Sequence, residues 1–362
     1  MMDFEKGHTE KTAVLLLAHG TPETLDDIPA YLRNVVSGRP MPDHVVEEIR
    51  HRYSLIGKSP LTELTLEQGR LLSERLGLPV YVGMRNWKPY IADVVKQMRA
   101  DGITSAAAIC LAPQNSRTSV GLYRRAAFAE AGAAGADGSL RLEFVEGWAD
   151  HPLLAKAFAD RLVPLRERLK GETGGDVPVL FTAHSVPCRT IQVPAPAAAA
   201  ATPAEREKIF WPTANPAVPD PYPVDAKNTA RLVAEEAGLD ESEWFFAFQS
   251  QGQSGGPWIG PSVEDSLTAM SQAGHKAVVV QTIGFLCDHV EILYDIDISF
   301  REFAAELGMR LERTESLNAS PTLTEALADL SQRALMRLGE SSAAGGAPKP
   351  PEAQLQPAAA GS

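Results

Sequence analysis

The chain has 362 residues, 44% hydrophobic and 22% charged, with a formal net charge of −12; that length suggests about two domains, and the acidic balance argues against general nucleic-acid binding while leaving room for a local basic pocket. No apolar run approaches the roughly 20 residues of a membrane span, and the opening MMDFEKGHTEKT has no signal-peptide core, so a cytoplasmic location is expected. Cys110, Cys188 and Cys287 are too widely spaced for a disulfide framework and too few for a four-thiolate iron–sulfur cluster.

In chain order, AVLLLA (13–18) reads as a buried strand ended by His19-Gly20-Thr21-Pro22. A helix is expected from about Asp26–Asp27 through PAYLRNVV, and two more over 43–53 and 62–76, with Asp43 as a cap. PVYVGM (79–84) is a strand, 90–101 a helix, SAAAICLA (105–112) a strand, and 120–131 a helix. The second half repeats the rhythm. LRLEFVEGW is a strand, 151–169 a helix interrupted or bent near Pro164, VPVLFTAHS a strand, 225–239 a helix and EWFFAFQS a strand. Residues 262–274 are a helix, HKAVVVQTIGF a strand, HVEILYDIDISFREFAAELG largely helix, and 322–338 the last folded element. Alternation at these lengths indicates α/β units with parallel sheets flanked by helices. The expected units are 12–145, completed by a C-terminal helix at 320–340, and 146–319. The Ala/Pro-rich stretch 193–205 interrupts the second, and 343–362 is a tail too poor in apolar residues to pack.

In open α/β sheets the carboxyl ends of strands face the ligand crevice. The polar residues there are His19, Gln114 and Asn115, His184 and Ser185, Gln249 and Ser250, then Asp288, His289 and Glu291. Glu291 and Asp295 are four apart, about 40° around a helix, and share a face; Asp288 joins that row if the helix begins early. Such a row accepts protons or passes cations, although a solvated acidic helix start has the same spacing. His184 suits a metal ligand or a proton acceptor near neutral pH, or a histidine tied to backbone groups; His19 has the same status. His289 lies about 200° from Glu291 on a regular helix and reads as packing or support. There is no GxGxxG after the first strand, no phosphate-binding GxxxxGK[ST] and no HExxH.

Together LLLAHGTP (15–22), SPLTELT (59–65), FTAHSVP (181–187), the QS…PWIGPS stretch (249–262) and GFLCDHVEILYDIDI (284–298) resemble the ferrochelatase family over residues 12–338. The resemblance implies two Rossmann-like domains of the chelatase type, each with a parallel four-stranded sheet, and a porphyrin cleft between them. It implies an ATP-independent lyase of heme biosynthesis that inserts ferrous iron, with no cofactor beyond the Fe²⁺ substrate. His184 and Glu291 correspond to the family's metal-site pair, and Asp295 to the next position of its carboxylate row; the following acidic position is Ser299 here. His19 occupies a strand-end position that is tyrosine in several coproporphyrin-using relatives, on the opposite porphyrin face, where it could ligate product iron. Ser59 matches a serine that contacts a propionate. Two arginines of such relatives are Val36 and Ser37 here, leaving Arg33, Arg39, Arg85 and Lys88 as candidates to neutralise propionates.

The first helical region resembles the soluble type that takes coproporphyrin III, without the apolar lip of membrane-associated enzymes. Coproporphyrin III is therefore the expected substrate and coproheme III the product, with protoporphyrin IX as the alternative. Another tetrapyrrole chelatase and a non-enzymatic heme or metal carrier are more distant alternatives. A monomer is expected, with transient contacts to neighbouring heme-pathway enzymes.

Overall fold

The computed structural model describes residues 11–132, 139–191, 220–252 and 257–343. Two parallel four-stranded sheets form its frame. The first contains β1 (Thr12–Ala18), β2 (Val80–Met84), β3 (Ser105–Cys110) and β4 (Arg141–Val145) in the order β2-β1-β3-β4. The second contains β5 (Val179–His184), β6 (Trp244–Gln249), β7 (Ala277–Thr282) and β8 (Arg310–Arg313) in the order β6-β5-β7-β8. The two orders are the same pattern: the first strand of each unit lies inside its sheet, with the second strand on one side and the third on the other.

The helices are α1 (Ile28–Val35), α2 (Asp43–Ile56), α3 (Leu61–Leu76), α4 (Ile91–Ala100), α5 (Val120–Ala131) and α6 (Pro152–Thr173) in the first part of the chain. They continue with α7 (Tyr222–Glu236), α8 (Val263–Gln272), the short α9 (Val290–Leu293), a π-helix (Asp295–Phe300), α10 (Arg301–Glu306) and α11 (Pro321–Ala343).

Both faces of each sheet are covered, which is why the central strands read as continuous apolar runs rather than alternating ones. Val14, Leu16 and Ala18 of β1 enter a core shared with Leu72 of α3 and with α11, while Ala13, Leu15 and Leu17 pack on the other face against α4 and α5. In β5, Phe181 and Ala183 meet α6 and α7, and Leu180 meets α8 and Phe300. Fully burying one such Leu or Phe contributes roughly 1.5–3 kcal/mol, so the strand ends that carry the polar residues rest on a rigid platform.

Several expectations need correction. The first helix is preceded by a 3₁₀ turn at Leu25–Asp27, and Asp43 is the first residue of α2 rather than its cap, which is Pro42. Pro164 does not interrupt α6, whose 22 residues run through it. The sequence showed no strand between 306 and 321, yet RLER forms β8 at the sheet edge; four residues with three charges carry almost no hydrophobic signal. The helix expected over 289–308 is a single α-helical turn, a π-helix and a second short α-helix. The last helix extends to Ala343, into the start of the expected tail; residues 344–362 and the 193–205 insert lie outside the described residues. We propose the division of the chain at 145–146 with α11 returning to the first unit, since β4 ends at Val145 and α11 packs on β3, β4 and α3 as well as α6.

Candidate active site

Because the sheets have the same strand order, β1 and β5 end at equivalent places, and each delivers a histidine. His19 follows β1 directly and His184 is the last residue of β5. Between them lies a cavity of about 320 Å³, lined from the first half by His19, Tyr31, Tyr53, Arg85 and Tyr123 and from the second by His184, Tyr222, Phe285, His289 and Glu291.

Two glycines set the approach. Gly20 turns the chain away after His19 with φ +82°, and a Cβ there would sit 2.9 Å from the Trp87 nitrogen. Gly284 lets the loop after β7 press on β5, where a Cβ would meet Ala183 Cα at 2.9 Å. That contact brings Phe285, His289 and Glu291 beside His184.

On the first wall, His19 Nε2 lies 3.0 Å from the Tyr31 hydroxyl, and the Asn86 amide reaches the same ring at 3.0 Å. Among the described residues no carboxylate is hydrogen-bonded to or ion-paired with it. Burial pushes the imidazole down to about 4, with Arg85 and the other two histidines adding to that effect against Glu291. His19 is therefore neutral at physiological pH. Burial likewise holds the Tyr31 phenol well above its ordinary range and pushes Tyr53 up to about 12.

On the second wall, His184 donates from Nδ1 to the Ser185 carbonyl, and its Nε2 stands 3.4 Å from Glu291 Oε1. Burial pulls the His184 imidazole down, but the Glu291 charge and hydrogen bond and the Ser185 carbonyl outweigh it and raise it to about 9. For Glu291 burial acts upward, while the His184 charge and hydrogen bond, with help from His289 and His19, bring it down to about 2. The two side chains are 34% and 35% exposed to the cleft. They form an ion pair that holds one proton across neutral pH. The backbone carbonyl of Glu291 accepts from Gln249 Nε2 at 2.9 Å, and Gln249 accepts from Thr182 Oγ1 at 2.6 Å, which ties the pair to β5 and β6.

Asp295 lies beyond the cavity lining, 5% exposed. Its Oδ1 accepts from Arg52 Nη1 of α2 at 3.1 Å and its Oδ2 from Ser250 Oγ at 2.5 Å. Burial and the Glu291 charge raise it to about 6 against these partners and His184. A carboxyl at that value exchanges protons near neutral pH.

The structure thus brings His184, Glu291 and His19 to one cavity, with Asp295 behind Glu291. It sorts the other expected residues differently. Ser59 is 1% exposed and does not line the cavity. Of the four cations, only Arg85 lines it, its guanidinium 5.9 Å from the Tyr123 ring; Arg33, Arg39 and Lys88 are exposed outside the lining. A regular helix would give His289 a packing or supporting place, but it precedes α9 in extended conformation (φ −158°) and lines the cavity together with Glu291. Asp288 is also outside the helix and points into a separate network with Arg313. Sequence reasoning missed Arg52 and the four tyrosines, whose only signal is their type; Arg52 and Asp295 are 243 positions apart. Among the described residues, no three His, Cys, Asp or Glu side chains converge as a metal site.

The ferrochelatase family model matches residues 11–335. The chain is 64% identical over 335 residues to a ferrochelatase of Acidobacterium capsulatum, covering 92% of this chain and 98% of that one. It is 37% identical to a ferrochelatase of Deinococcus radiodurans, covering 88% and 95% of the two chains. It is also 32% identical to a coproporphyrin III ferrochelatase of a Geobacillus species, covering 88% and 96%.

Proposed function

Because this chain belongs to the ferrochelatase family, whose members insert ferrous iron into a porphyrin without ATP, we propose that its substrate is coproporphyrin III and that His184 and Glu291 are its metal-site pair. Full-length similarity to relatives named for coproporphyrin III supports the choice of ring. No helix among the described residues is long and apolar enough to cross a membrane. The observation that carries the assignment of roles is the His184–Glu291 pair at 3.4 Å, facing a neutral His19 from the opposite wall of one cavity.

The protonation states give each group a task. Metal insertion removes two pyrrole protons. His184, already protonated, accepts none until it has released its own, and arriving Fe²⁺ competes with that proton for Nε2. Glu291 is ionised and supplies the anionic oxygen. Two protein donors suit an ion that is passed on, because the four pyrrole nitrogens complete its coordination. Asp295, raised to about 6, takes the displaced proton and returns it to solvent; once the iron has passed to the ring, the vacated His184 Nε2 accepts the two pyrrole protons in turn and each leaves by the same route, while Ser299 ends the row of acids. The neutral His19 would ligate product iron from the other face by exchanging its Nε2 contacts with Tyr31 and Asn86 for the metal. Arg85 is the cation inside the cleft for a propionate, whereas Arg33, Arg39 and Lys88 lie outside the lining and Ser59 is buried.

An anaerobic insertion assay with Fe²⁺ tests the reading by comparing coproporphyrin III with protoporphyrin IX. The expected kcat/KM is at least about tenfold higher for coproporphyrin, since a site built for charged groups discriminates strongly against a substrate lacking them. Equal values or a preference for protoporphyrin overturn the substrate assignment, and stoichiometric binding without turnover overturns the enzyme.

A further inference from the structure

The segment that carries Glu291 and Asp295 is short of internal support. It comprises one α-helical turn and a six-residue π-helix, and it is preceded by a loop. Something outside it must fix where its side chains point. We propose that Arg313 is a positioning residue for iron insertion, holding both flanks of this segment; the proposal rests on the assignment of Glu291 and Asp295 given above.

Arg313 ends β8, the edge strand next to β7, and its side chain is 12% exposed. Its Nε and Nη2 donate to the two oxygens of Asp297 at 2.8 Å each, a fork-to-fork pair. Its Nη1 donates to Asp288 Oδ1 at 3.1 Å and to the Thr314 carbonyl at 3.0 Å. One guanidinium therefore joins position 288, just before α9, to position 297 in the π-helix. Glu291 and Asp295 lie between these two anchors. Residues two apart on a helix, this π-helix included, point to roughly opposite sides; Asp297 faces Arg313 while Asp295 faces Arg52 and Ser250. Anchoring Asp297 outward thus fixes Asp295 inward.

A second clip secures the front flank. Asn318, at φ 48°, donates from Nδ2 to Asp288 Oδ2 at 2.9 Å and accepts from the Asp288 nitrogen at 2.9 Å. Its own nitrogen donates to the Leu286 carbonyl at 2.7 Å. Its carbonyl accepts from Gln68 Nε2 of α3 at 2.7 Å, so the clip reaches across to the first half of the molecule. Ser316 Oγ adds a bond to Asp288 at 2.7 Å. Neither Arg313 nor Asn318 lines the cavity; both act through the segment they hold. Arginine suits this place better than lysine, which keeps the charge but offers a single charged point in place of a planar fork and cannot bind both carboxylates in this geometry.

The test uses the full chain, Fe²⁺ and coproporphyrin III. In Arg313→Met the expected result is a fall in kcat of about 10–100-fold, the range seen when outer partners of metal-site residues are removed, with KM for the porphyrin within twofold of wild type. Arg313→Lys recovers part of kcat but not all. A purely structural role predicts lowered thermal stability with normal kcat per folded molecule, and that result, or a change confined to KM, overturns the proposal. If Arg313→Met does not fold, Asp297→Asn decides: it loses one anchor only, and kcat reduced severalfold at unchanged KM supports positioning, whereas wild-type kcat refutes it. Glu291→Gln measured alongside separates the two ideas. If that variant is fully active the site assignment has failed; if it is inactive while Arg313→Met is fully active, only the positioning role has.

Discussion

His19 and His184 sit at equivalent ends of equivalent strands, yet burial and neighbours drive them in opposite directions, to about 4 and about 9. The first meets a phenol and an amide, the second a carboxylate. The backbone places an imidazole at the crevice in both halves; the partner decides whether it is a neutral ligand or a cation. One wall of the cavity thus sets a phenol, an amide and the nearby Arg85 charge against its histidine, and the other holds an ion pair with a buried carboxyl behind it.

The sharpest way to break this contrast is to remove the charge that creates it. Glu291→Gln is expected to lower Fe²⁺ insertion by about 100-fold or more, within the range for losing a positioned proton-transfer group, while porphyrin binding, read by fluorescence quenching, persists. His184→Ala is expected to match it. Near-normal insertion in either would mean the second wall is not where iron is handed over. In Glu291→Gln the His184 ring, followed by NMR titration, should also fall from about 9 toward or below its ordinary range, because burial then acts with much weaker opposition. A titration that stays near 9 would show that Glu291 is not its counter-charge.

The pair has a pH signature in stability. His184 is raised, so its contribution is complete below about 6.5 and is lost as pH climbs through 9. Glu291 is lowered, so its contribution is complete above about 4.5 and is lost as pH drops through 2. The ion pair is therefore fully effective between about 4.5 and 6.5. The thermal midpoint of wild type should fall more than that of Glu291→Gln between pH 6.5 and 9; parallel curves would contradict the assignment.

Smaller effects are expected at Asp295 and His19. Asp295→Asn should cost insertion about tenfold or less. Asp295 is raised from 3.8 to about 6, so its ionisation opposes folding increasingly as pH rises through that window. The thermal midpoint of Asp295→Asn relative to wild type should accordingly improve between pH 4 and 7, and a difference that does not move with pH would show the carboxylate to be fully compensated by Arg52 and Ser250. On the first wall, His19→Ala should change the insertion rate least of all, while altering the absorption spectrum of iron coproporphyrin bound to the protein. An unchanged spectrum would remove His19 from the iron's coordination sphere.

The two sides of this contrast were not equally readable. The apolar runs of β1 and β5 and the polar residues after them are visible as local pattern, and that pattern marks His19 and His184, which both line the cavity. Asp295 was found from its spacing to Glu291, although the helix invoked for that spacing is mostly π-helical. His289 was misplaced because a regular helix was assumed to include it, whereas the helix starts one residue later. Arg33, Arg39 and Lys88 were nominated by closeness in sequence, which does not say which way a surface side chain points. Arg313 and β8 carried no pattern at all, since a charged four-residue edge strand looks like a loop.

By itself the sequence determined the alternating α/β architecture, the strand ends facing the crevice and the chemical types assembled there, because hydrophobic periodicity and punctuation are local properties. Tertiary structure alone decided which of those groups are charged. Desolvation and charge–charge energies depend on separations between residues far apart in the chain, such as Arg52 with Asp295 and His184 with Glu291, and those separations exist only once both sheets have packed around one cavity.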